Sequence, residues 1–121
     1  MRFMSMIKSD ESVSYGDVPP AVYEAMGAFA KEGFENGTLI EQGGLGPSEQ
    51  GAIVSLVDGS ISVHDGPFAE AKELVGGYAV IEVRSKEEAV ELARRLLQIH
   101  QHNWPGWEGS CEVRRLYSDN G

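Results

Sequence analysis

Cysteine is nearly absent: Cys111 stands alone among 121 residues. An intrachain disulfide and a thiolate metal cluster are therefore excluded, and a reducing compartment, the cytoplasm, is the expected location. Basic residues are scarce too, 10 against 19 acidic ones, for a formal charge of -9 and a pI near 4.7. A surface that tracks nucleic-acid phosphates needs the opposite balance, so no direct nucleic-acid partner is expected. No apolar run approaches the ~20 residues of a membrane helix, and Met1 to Lys8 is too short and too broken by Arg2, Ser5 and Lys8 for a signal peptide. The expectation is one soluble domain over residues 1–121 with no membrane partner.

What is present suits a packed core: hydrophobic residues make up 41% and charged residues 24%. The charge is uneven, since residues 1–83 hold 13 acids and 4 bases whereas 84–121 hold six of each. Arg2 to Lys8 reads as a central strand with Phe3 and Ile7 on one face and Met4 and Met6 on the other. Pro19-Pro20 presets a helix carrying Val22, Met26, Phe29 and Gly33, closed by Asn36-Gly37. Thr38 to Ile40 predicts a short strand followed by a loop, Gly43-Gly44-Leu45-Gly46-Pro47. Ala52 to Val57 and Ile61 to His64, joined by Asp58-Gly59, predict a β-hairpin.

Asp65-Gly66-Pro67 breaks that strand, and Phe68 to Val75 reads as an irregular or briefly helical connection. Gly76 to Val83 predicts a strand. Ser85 with Glu88 is a capping box for a helix whose stripe is Ala89, Leu92, Ala93, Leu96 and Ile99. His100 to Gly109 reads as a loop and Cys111 to Tyr117 as the last strand. Two strand-helix-strand halves with an inserted hairpin form the pattern of an α+β ferredoxin-like sandwich. Such a fold leaves one sheet face without helices, with Tyr78, Val80 and one of the two β1 pairs on it, and an apolar sheet face of that kind predicts a homodimer enclosing a cavity for a small molecule.

The segment His64-Asp65-Gly66-Pro67-Phe68-Ala69-Glu70-Ala71-Lys72-Glu73, followed by Gly76-Gly77-Tyr78, closely resembles the DGPF signature of the YCII-related proteins, with Ala71 where threonine is usual. The N-terminal strand, Gly27-Ala28-Phe29, the Asp58-Gly59 hairpin and Glu112-Val113-Arg114 extend the likeness along the chain. The resemblance implies a ferredoxin-like fold, a dimeric α+β barrel and a cleft for a ligand or a reaction. A relative in the wider superfamily is a dehydrochlorinase using a His and Asp pair, and related domains accompany extracytoplasmic-function sigma factors. Acid-base chemistry, by proton transfer or elimination, and a non-catalytic sensor or accessory role in sigma-factor-dependent transcription are therefore the two readings.

For catalysis the candidates are Asp65 as base, His64 and Glu73; for ligand binding they are Lys72, Phe68 and Tyr78. Asp65 has an equal claim as turn chemistry, and strand alternation points His64 and Asp65 to opposite faces unless the turn redirects one. Glu70 reads as a solvated charge. His100-x-His102 lacks the further ligands that a metal site needs, so no metal and no cofactor is expected. Trp104 and Trp107 read as a packed lid or dimer contact, and Cys111 as a small buried hydrophobe. Gly43-Gly44-Leu45-Gly46 lacks the Lys-Ser/Thr pair of a phosphate loop.

Overall fold

A computed structural model describes residues 1–11, 18–68 and 73–117. Strand β1 (Arg2–Ser9) leads to helix α1 (Pro20–Asn36) and strand β2 (Leu39–Gly44), followed by a single tight helical turn at Ser48–Gln50. Strands β3 (Ala52–Val57) and β4 (Ser60–Asp65) form a separate hairpin, after which β5 (Leu74–Glu82), helix α2 (Lys86–Asn103) and β6 (Gly109–Leu116) complete the described chain. The main sheet has the order β2-β5-β1-β6 with every pairing antiparallel. Two helices on an antiparallel sheet of this order make an α+β architecture consistent with the ferredoxin-like fold.

Local chemistry explains the boundaries. Pro20 occupies the first position of α1, where its missing N–H costs nothing, and Gly37 ends the helix at φ 81°. Ser85 caps α2 by accepting the Glu88 N–H at 3.1 Å, while the Glu88 carboxylate reaches back to the Arg84 N–H at 3.4 Å. The hairpin turns at Asp58 (φ 51°) and Gly59 (φ 79°), two consecutive positive angles that match the twist of the flanking strands.

Phe3, Ile81 and Val83 pack with Ala89 of α2 to form the core, flanked by Leu39, Ala79, Leu92 and Val113. Odd-numbered β1 residues therefore face the helices, and alternation places Met4 and Met6 opposite, paired with Val80 and Tyr78. That second face is edged by charge: Lys8 Nζ meets Glu112 at 2.6 Å, and Glu82 meets the N-terminal ammonium at 3.0 Å and Arg2 at 3.7 Å.

Several boundaries differ from expectation: β5 already begins at Leu74, because Leu74 and Val75 pair with Ser9 and Lys8, and β6 begins at Gly109. Gly43 and Gly44 belong to β2 rather than to a loop, because their backbones pair with Tyr78 and Gly77; ladder pairing overrides the low strand preference of glycine. Helix α2 continues through His100 and His102 to Asn103, so both histidines are helical.

Candidate functional site

The sheet beneath α1 is built from side chains too small to fill the space above it. Gly77 and Ala79 of β5, Gly44 of β2 and Ser5 of β1 are neighbours in the ladder on the face toward the helices, and Gly76 lies at the irregularity beside Gly77. From the helices, Val22, Met26 and Phe29 of α1 and Leu92 and Leu96 of α2 look down on this floor. The result is a cavity of about 620 Å³ inside one protomer, within the size range of pockets for small molecules. Tyr23 and Leu45, both exposed, stand among its lining residues.

One end is closed by three rings. His100, only 4% exposed, lies 4.4 Å from Trp107 and 6.3 Å from Trp104 between ring centroids, and the two tryptophans lie 6.4 Å apart. Trp104 and Trp107 are brought together by a tight turn in which the Trp107 N–H donates to the Trp104 carbonyl at 3.1 Å and Gly106 takes φ 81°. Gly109 leaves room for the Trp107 ring, since a methyl carbon there would come within 2.5 Å of it. His102, two residues on from His100, is exposed on α2, so the two rings do not form a chelating pair.

Polar groups of the lining are mostly engaged. Ser5 Oγ lies 3.1 Å from Cys111 Sγ, and Thr38 Oγ1 donates to Asn36 Oδ1 at 2.7 Å. Burial pushes the Cys111 thiol above its ordinary pKa, partly offset by Ser5, which keeps it protonated and unreactive.

A second, smaller cavity of about 420 Å³ adjoins the first and shares Ser9, Leu45 and Gly76 with it. It is the space around the DGPF turn. Phe68 lines it, and the Phe68 N–H donates to Ser48 Oγ at 2.9 Å while Ser48 Oγ donates to Glu11 at 2.7 Å. The Ser48 backbone N–H donates to the same carboxylate. The Gly66 N–H donates to the Gly51 carbonyl at 2.9 Å, and the Gly66–Pro67 peptide is cis.

The residues expected from sequence distribute around these spaces. Phe68 lines the smaller cavity, and Tyr78 borders the larger one from β5 while its ring lies on the sheet face away from the helices. The Tyr78 ring lies against Gly43, and its hydroxyl donates to Glu41 at 3.2 Å; that hydrogen bond and the carboxylate's charge hold its pKa above the usual phenol value. Asp65 and His64 are exposed at the end of β4 and point to opposite faces of the hairpin, with Asp65 opposite Ala52 and His64 opposite Ile53. Glu73 is exposed and accepts from Ser110 Oγ at 3.3 Å. Lys72 and Glu70 lie outside the described residues. His100, Trp104 and Trp107 were not among the expected site residues, although Leu92, Leu96 and His100 recur every four residues and so continue the buried stripe.

No group of three or more His, Cys, Asp and Glu side chains among the described residues converges on a metal-sized point, and no described helix is long and apolar enough to cross a membrane. A family model for the YCII-related domain matches residues 1–101. The chain belongs to the YCII-related family. This YCII-related chain is also 31% identical over 119 residues to the uncharacterized protein R00369 of Rhizobium meliloti (strain 1021), an alignment covering 96% of the chain and 92% of that relative. The DGPF block, residues 65–68, falls inside the matched region, whereas Trp104 and Trp107 fall beyond it.

Proposed function

We propose that this YCII-related protein binds a small, largely apolar organic molecule in the cavity between α1 and the sheet, and that it acts as a homodimer. The small-residue floor carries the reading. The space of about 620 Å³ opens to solvent, and an apolar occupant would displace water from its aliphatic and aromatic lining. A ligand-sensing role and a catalytic one both begin with this occupancy. Acid-base chemistry by Asp65, His64 and Glu73 would further need the partner protomer to gather groups that point apart in one chain.

Dimerisation is supported by two apolar surfaces, one half-buried and one exposed. One is the sheet face opposite the helices, where Met4, Met6 and Tyr78 are half-buried around a buried Val80. The other is a row on the hairpin, Val54, Leu56, Ile61 and Val63, each 65–73% exposed. An isolated two-stranded hairpin is marginal in water, so cover from a second copy suits it.

The ligand reading is tested with N-phenyl-1-naphthylamine, a neutral apolar dye. Both tryptophans of the chain line the cavity, so exciting them should sensitise emission from bound dye. Ala79→Leu, which raises the floor, should abolish the sensitised emission while leaving the melting temperature unchanged or higher. Dye binding that is absent in the wild type, or indifferent to Ala79→Leu, would overturn the proposal.

A further inference from the structure

His100 is a polar side chain at the end of an apolar cavity, and the hydrogen bond it makes fixes which of its nitrogens is free. Nδ1 lies 2.9 Å from the Leu96 carbonyl oxygen. A carbonyl oxygen only accepts, so Nδ1 carries the proton, and in the uncharged ring Nε2 presents a bare lone pair. Nε2 makes no hydrogen bond, yet no fully enclosed side-chain nitrogen or oxygen among the described residues is left without a partner. Nε2 therefore reaches open volume, and His100, at 4% exposure, lines the cavity. The Trp107 and Trp104 rings flank it and hold the imidazole in place.

The remaining lining narrows the class of ligand. Among the described residues it includes no lysine or arginine, and the chain carries a net charge of -9, so the described lining does not offset the desolvation of an anion. Ser5 and Thr38 already have partners. Gln42 and Tyr23 also line the cavity but are exposed, so the described lining offers aromatic and aliphatic walls with His100 as a buried acceptor.

Resting on the cavity reading above, we propose that the ligand is an uncharged molecule with an aromatic or alicyclic body and one hydroxyl, of the phenol or alcohol class, whose O–H donates to Nε2 of His100. A hydroxyl in that place completes the histidine's hydrogen bonding, and an apolar isostere leaves it unmade. Anionic analogues would meet no compensating cation among the described lining residues.

Isothermal titration calorimetry with three probes of one shape separates the possibilities: 4-ethylphenol, 4-ethyltoluene, in which a methyl replaces the hydroxyl, and 4-ethylbenzoate. The wild type should bind the phenol about five- to tenfold more tightly than the hydrocarbon, the effect of roughly one hydrogen bond, and the benzoate more weakly than either. His100→Phe keeps a ring beside Trp107 and removes Nε2, so the phenol's advantage should vanish while 4-ethyltoluene binding persists. Equal binding of phenol and hydrocarbon by the wild type overturns the His100 assignment and leaves the cavity reading standing. So does a phenol preference that survives in a folded His100→Phe variant. Binding of none of the three overturns both proposals.

Discussion

Replacing Gly66 by alanine should undo the docking of the DGPF turn. A methyl carbon at that position would lie 2.5 Å from the Ser48 carbonyl carbon, closer still to its oxygen, and 3.1 Å from the Glu49 nitrogen. All three are backbone atoms, so no side-chain rotation relieves the clash. Two hydrogen bonds hold the turn at this place, from the Gly66 N–H to Gly51 and from the Phe68 N–H to Ser48 Oγ, both 2.9 Å. At a net worth of roughly 0.5–1.5 kcal/mol each, their loss costs about 1–3 kcal/mol. In a domain of this length each kcal/mol lowers the melting temperature by roughly 4 °C, so a fall of roughly 4–12 °C is expected by circular dichroism. If the hairpin undocks without unfolding the main sheet, the loss instead appears as faster amide exchange at Gly66 and Phe68. Gly27→Ala is the matched control: nothing lies within 4 Å of a methyl there, and in the middle of α1 alanine should stabilise by roughly 0.5–1 kcal/mol. Unchanged melting together with unchanged exchange in Gly66→Ala would refute the claim that glycine is required by close approach.

Two further outcomes follow from the surface. Light scattering should give the wild type twice the 13.1 kDa chain mass, and Leu56→Asp, which buries a charge if the hairpin is covered, should shift it toward the single-chain mass; a dimer unaffected by Leu56→Asp would remove the hairpin from the interface. The Lys8 ammonium holds the Glu112 carboxyl below its ordinary pKa, through their hydrogen bond first and their opposite charges second. Because the folded-state value is depressed, the stabilisation is present above the unfolded value and disappears as pH falls through the folded one. Lys8→Gln should therefore narrow its stability gap to the wild type as the solution is acidified below pH ~4, and a gap that widens on acidification would refute this assignment.

Much of the fold was legible in short stretches of sequence because local chemistry decides it. Asp58-Gly59 adopts the two positive φ angles of a hairpin turn, Gly37 takes the left-handed end of α1, and Ser85 with Glu88 caps α2. The β1 residue pair on the sheet face away from the helices was open in the sequence; packing of Phe3 against Ala89 resolves it in favour of Met4 and Met6. The site was harder to read. The floor includes Ser5, Gly44, Gly77 and Ala79, which strand pairing makes neighbours although they come from three separate segments. In sequence each looks like a loop residue or an unremarkable small one. His100 was obscured by its polar neighbours Gln101, His102 and Asn103 and by Trp104-Pro105-Gly106-Trp107, which together imitate a loop. The DGPF turn drew notice through its composition, but its partners Glu11 and Ser48 lie far away in sequence and become visible only through their hydrogen bonds.

The floor of small side chains also has a consequence for how the chamber can be reshaped. Its members rest on strands whose backbone pairing does not depend on side-chain size, so exchanging alanine for valine at position 79, or serine for threonine at position 5, reshapes the chamber without disturbing the sheet that carries it. Recognition and folding are thus assigned to different atoms of the same strands. On the binding reading proposed above, this scaffold would accommodate occupants of graded size through single substitutions, with His100 setting the chemistry that an occupant presents.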